Sequence, residues 1–325
     1  MIYRYVSAVL AVFLLQVHVS GHAQTYPNRA VKIIVPLAAG GGTDVVARMI
    51  GEKLSEKLGQ SVIIENKPGA QGMIGVDAAA KSPADGYTIV FGSSTTMAAI
   101  SSLYAKLPFD PIKDFTPVAK ALDNAYNVLL VPTSLNVNNL DELIALSKKN
   151  PGQLNYGAGT ASSKICIEML KVMSGANLTL VPYKTSTQAL NDLMGSQVQM
   201  VCEPTGSGMN AVKSGKVKAI AVTAPKSIEE APGVPPASAT PGLSGYEHSS
   251  WLAFFAPAGT PKDQVNRLSK DIIAVLSEPD MVARIKKTGF DVVTSGPEAL
   301  GTIQKNAVEK YAKVVKDAGI KPEAN

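Results

Sequence analysis

The stretch Val31 to Asp44, VKIIVPLAAGGGTD, constrains this chain more than any other. The β-branched run Val31, Ile33, Ile34 and Val35, ended by Pro36, predicts a buried strand. Val45, Met49, Ile50, Leu54 and Leu58 recur at helical spacing and predict a helix soon after it. Between the two, Gly40, Gly41 and Gly42 lack the Cβ atoms that would keep a ligand away, and Thr43 or Asp44 is the expected N-cap. Such a junction points backbone N–H groups and the positive end of a helix dipole at one place, which suits an anion. An ordinary tight turn that binds nothing would use the same residues.

The motif recurs. Val62–Glu65 reads as a second strand before another glycine loop and a helix over 74–82, and 87–91 as a third before Ser93, Ser94, Thr95 and Thr96. Strand, polar loop and helix in repetition predict βαβ units and a mostly parallel sheet, with ligands at the carboxyl ends of the strands. Residues 115–131 read as a long or paired extended element leading into a second α/β block. That block has helices over 140–149, 164–174, 188–195 and 208–214, and strands over 154–156, 178–181, 198–202 and 219–223. Residues 225–245, rich in Pro, Ala, Gly and Ser, are expected to be a surface excursion. Trp251–Ala256 reads as a second crossover strand, and helices over 262–277, 279–288 and 297–317 are expected to pack back on the first block. The expected fold is therefore α/β: two open, mostly parallel sheets joined by two crossover strands. One lobe spans 24–126 and 249–325, the other 127–248, with a hinge and a cleft between them.

Residues 1–23 read as a cleaved secretory signal: Arg4, an apolar run from Val6 to Val17, and Gly21-His22-Ala23 as the cleavage site. Twelve apolar residues are too few to span a membrane as a helix. Without that segment 302 of the 325 residues remain; Arg4 leaves the 31 basic residues at 30 against 26 acidic. The positive balance is spread over helical faces, so mild attraction of anions is expected and nucleic-acid binding is not. Cys166 and Cys202 would enter an oxidising compartment, so one disulfide is possible, but spacing alone does not bring their Cα atoms together. His248 is then the single remaining histidine, and residues 24–325 contain neither a CxxC nor an HxxxH spacing, so no metal or other cofactor is expected.

Five stretches in order resemble the Bug family of periplasmic solute receptors, the binding subunits associated with tripartite tricarboxylate transporters. They are YPNRAVKIIVPLAAGGGTDVVAR, VIIENKPGAQGMIGVDAAAKSPADGYT, LNYGAGTASS, VPYKTSTQALNDLMGSQVQ and GYEHSSWLAFFAPAGTP. The resemblance implies a two-lobed type II periplasmic-binding fold that closes on a small carboxylate. It implies that the loop Ala39, Gly40, Gly41, Gly42, Thr43 and Asp44 holds the carboxylate through amides and bridging waters. Gly159, Thr160, Ala161, Ser162 and Ser163 then form the facing loop. Five residues depart from the family pattern near the cleft: Lys164 in place of a common His, Thr185 of a Gly, Gln199 and Glu203 of Asp, and His248 of an apolar residue.

From the residues themselves, Ser93, Ser94, Thr95, Thr160, Ser162 and Ser163 suit either helix capping or ligand contact. Lys184 beside Thr185 could pair with a carboxylate, Glu203 could meet a ligand ammonium group, and His248 could touch ligand or pack structurally. The expected function is a monomeric, exported receptor for a mono- or dicarboxylate, aromatic ones included, that delivers it to membrane transporter subunits. A receptor that signals to a membrane sensor kinase uses the same features. A hydrolase is disfavoured, because GxSxG is missing and any triad would rest on His248 alone.

Overall fold

The structure, a computed structural model, describes residues 26–317 and 319–322; the export signal read at 1–23 lies outside these residues. Strand β1 (Val31–Val35) leads into the helix Gly42–Leu58, β2 (Val62–Asn66), the helix Met73–Ala80 and β3 (Thr88–Ser93). β1 lies parallel between β2 and β3, with Ile33 opposite both Ile64 and Ile89. Its β-branched run is buried on both faces: Ile33 joins the apolar cluster under the helices Gly42–Leu58 and Lys262–Leu276, and Ile34 joins the cluster on the other side.

Strand β4 (Phe115–Pro132) is one uninterrupted 18-residue element. Beyond it β5 (Asn155–Ala158), β6 (Thr179–Pro182) and β7 (Met200–Pro204) form a second parallel block, with Tyr156 opposite Leu180 and Met200. β8 (Val217–Val222) precedes the return strand β9 (Ser249–Pro257), and β10 (Asp291–Ser295) lies between two helices near the C-terminus. The first half of β4 pairs antiparallel with β9 and β10, and the second half with β7 and β8. The two lobes therefore share one strand, and hydrogen bonding runs through both. Parallel ladders between strands join three strands in each lobe, β1 to β3 and β5 to β7. The sheet is mixed rather than mostly parallel because both crossover strands run against their neighbours.

The C-terminal helices Lys262–Leu276 and Pro297–Asp317 pack on the first lobe, as their amphipathic spacing implied. Residues 225–245 are more than a surface excursion. Ala231, Ala237 and Leu243 are buried against the second lobe, and the Val222 N–H donates to Pro235 O at 2.8 Å. Cys166 and Cys202 form a disulfide that ties the helix Ala161–Ser174 to β7. Among the described residues no helix is long and apolar enough to cross a membrane.

Candidate functional site

Pro36 ends β1, and the chain turns through Gly40 in the left-handed region, φ +82°, before the helix begins. The N-cap is Gly41, without a side-chain cap, so neither Thr43 nor Asp44 plays the expected capping part. The first helical bond runs from Val45 N–H to Gly41 O at 3.0 Å, which puts the amides of Gly42, Thr43 and Asp44 ahead of the ladder. Asp44 instead braces the turn from below. Its carboxylate accepts the Gly40 N–H at 2.8 Å, the Asn66 amide at 2.9 Å and the Arg48 guanidinium at 3.1 Å. Burial alone would raise its pKa, but these donors hold it below the usual carboxylate range.

Across from this loop, Thr160 caps the helix Ala161–Ser174 by accepting the Ser163 N–H at 3.1 Å, and Ser163 Oγ donates to Thr160 O at 2.9 Å. Thr185 likewise caps Ser186–Met194. The two loops touch so closely that a Cβ on Gly159 would lie 2.1 Å from the Thr185 carbonyl carbon. Ser162, one residue into its helix, meets His248 Nε2 at 2.9 Å.

These segments enclose one cavity of about 210 Å³. Of the residues expected at a ligand site, Gly40, Gly41, Gly42, Thr43, Asp44, Ser93, Thr95, Thr160, Ala161, Ser162, Lys184, Thr185 and Glu203 line it. Four do not. Ala39 is exposed, and the Ser94 hydroxyl is taken by Ser250 and Tyr311 at 2.9 and 3.3 Å. Ser163 is used in its capping box, and His248 stands behind Ser162, 3% exposed. Burial, reinforced by the Lys310 charge, pushes the His248 pKa down to about 4, so its imidazole is neutral.

Glu203, at the end of β7, is buried with its carboxyl on the cavity wall and accepts the Ser207 hydroxyl at 2.9 Å. Burial lifts its pKa to about 7, against the opposing effect of that hydrogen bond. Sequence reasoning missed Gln71, Asn127, Ser250 and Phe290, which also line the cavity. Asn127 could have been found as a polar residue in the apolar run of β4, and Gln71 as the odd member of a glycine loop. Gln71 adopts φ +56°, and its Oε1, like Thr95 Oγ1, is buried without a hydrogen-bond partner. Among the described residues no cluster of His, Cys, Asp and Glu could hold a metal ion.

The family model of the tripartite tricarboxylate transporter family receptor matches residues 46–320. The chain belongs to this receptor family. BugT of Bordetella pertussis is 32% identical over 319 residues, covering 97% of each chain. A Rhodopseudomonas palustris protein solved with adipate superposes at a TM-score of 0.86 with 32% identity, over 92% of this chain and 100% of that one. MatC of the same organism, solved with bound malate, gives 0.82 and 30%, over 89% of this chain and 100% of that one. Like other members of a family of periplasmic binding proteins, this receptor has an α/β fold with two lobes and a mixed sheet.

Proposed function

We propose that this family member is an extracytoplasmic receptor that captures a small organic carboxylate between its lobes and passes it to the membrane subunits of a transporter. The observation that carries this reading is the meeting of two helix N-termini at one cavity. The Gly42 and Thr43 amides stand on one side, and Ala161 and Ser162 on the other. Neutral donors already in position cost little reorganisation, and their hydrogen bonds to a carboxylate are of the strong, charge-assisted kind. The adipate and malate in the two structural relatives agree with a carboxylate.

In this reading residues 1–23 direct export, 24–126 with 249–325 form one lobe, and 127–248 form the other. The strands β4 and β9 carry the hinge, and the protein works as a monomer that binds rather than as an enzyme. The ligand is a mono- or dicarboxylate held without a cofactor, and closure presents a surface that only the liganded form has.

Thermal denaturation against citrate-like, dicarboxylic, aromatic and amino acids tests the reading. A ligand present at a hundred times its dissociation constant stabilises the native state by about 2.7 kcal/mol, a clear rise in midpoint. A rise confined to one class of carboxylate supports the reading and names the ligand class. Stabilisation by a non-anionic solute alone would overturn it.

A further inference from the structure

His248 is out of reach of the cavity, yet it is the side chain that decides what Ser162 offers to the cavity. Its backbone is fixed at the hinge: the His248 N–H donates to Thr223 O at 3.1 Å, and Thr223 Oγ1 donates to His248 O at 2.6 Å. Thr223 Oγ1 in turn accepts the Asn127 N–H of β4 at 2.8 Å, so both crossovers hold the residue. The imidazole is buried, and its Nε2 lies 2.9 Å from Ser162 Oγ, which lines the cavity at the helix N-terminus.

A serine hydroxyl has one hydrogen, and a neutral imidazole carries one proton on one of two nitrogens. If Nε2 is bare, Ser162 must donate to it, and only oxygen lone pairs face the cavity. If Nε2 carries the proton, it donates to Ser162 Oγ, and the serine hydrogen is released toward the cavity. We propose that His248 holds its proton on Nε2 and so positions the Ser162 hydroxyl to donate to a bound carboxylate. This rests on the carboxylate reading of the cleft, because lone pairs aimed at an anion would repel it. His248 is a positioning residue acting through Ser162, and it makes the second lobe's anion contact depend on a residue of the hinge.

The tautomer is measured directly in the free protein. A chain starting at Gln24 contains His248 as its single histidine, so long-range 1H–15N correlation of the labelled imidazole reports one ring. A protonated Nε2 is expected, and a protonated Nδ1 with bare Nε2 would overturn the proposal. Calorimetry with the best carboxylate supplies the second arm. His248→Gln, whose amide can still donate to Ser162, should bind within about threefold of wild type. His248→Leu and Ser162→Ala should each lose about tenfold or more, and the double variant should be no weaker than Ser162→Ala alone. Wild-type affinity in a folded His248→Leu would overturn the proposal. If no carboxylate bound the wild type, the receptor reading would fall, and the free-protein spectrum would still decide where the proton sits.

Discussion

Glu203 makes the stability of this receptor fall as the pH rises. An ordinary glutamate titrates near 4.5, and burial in the folded protein moves this one to about 7. Between those values the folded state holds a proton that the unfolded chain has lost, so raising the pH from 4.5 to about 7 favours unfolding. Above pH 7 both states are ionised and the full penalty, about 3 kcal/mol, persists. Glu203→Gln keeps the acceptor for Ser207 and removes the charge. Urea unfolding should find the variant gaining about 3 kcal/mol on wild type between pH 4 and pH 8. Parallel pH profiles would show that Glu203 ionises freely. Asp44 has the opposite sign: its lowered pKa contributes stability above the unfolded value of 3.8 that is lost as the pH falls through the folded value.

Secondary elements account for what could and could not be read from the chain. The first strand was legible to the residue because its β-branched run is buried on both faces and stops at Pro36. The long strand β4 was legible as an extended crossover between lobes, but its pairing was not, since partners far along the chain, in β7, β8, β9 and β10, leave no local mark. β10 was missed: Asp291–Ser295 is half-exposed and short, with no alternation of apolar and polar residues strong enough to mark a strand. At the site, both helix starts that line the cavity were legible from glycine and hydroxyl residues. Ser94 and Ser163 stand outside the cavity lining, and the sequence did not separate them from the rest because a hydroxyl that caps or bridges locally has the same signature as one that meets a ligand. The disulfide could not be decided, because a separation of 36 residues says nothing about a Cα distance of 6.4 Å.

Two elements of the second lobe should respond sharply to change. The disulfide closes a loop of 36 residues, and its removal by Cys166→Ala with Cys202→Ala should cost roughly 4 kcal/mol in chemical denaturation. Unchanged stability would mean that the helix Ala161–Ser174 and β7 are held by packing alone. Gly159→Ala should weaken carboxylate binding in calorimetry far more than a surface change of the same size. Its Cβ would strike the Thr185 backbone, not a flexible side chain, and force the two cleft loops apart. Wild-type affinity in that variant would place the ligand away from both loops.

At the level of the whole molecule, two lobes threaded on β4 and β9 place the carboxyl ends of β1, β3, β5 and β7 around one cavity. The lobes also touch beyond the hinge: Ala161 and Ile165 pack in the first lobe's apolar cluster, and Gly206 lies against the backbone of Thr288 and Gly289. A ligand that bridges both helix N-termini would favour the arrangement that brings them together. Gly41→Asp shows whether the glycine loop at the first of these N-termini holds an anion. Gly41 has φ −76° and ψ 164°, which any residue can adopt, and an added Cβ would meet only Ala38 O at 3.5 Å. The variant should therefore fold while placing a negative charge where the carboxylate would bind. Titration calorimetry with the best carboxylate, alongside the melting temperature of each protein, is the measurement. The expected result is saturable binding by wild type and a loss of about a hundredfold or more in a Gly41→Asp protein that melts normally. An unchanged Kd in the folded variant would mean that the glycine loop does not hold the anion.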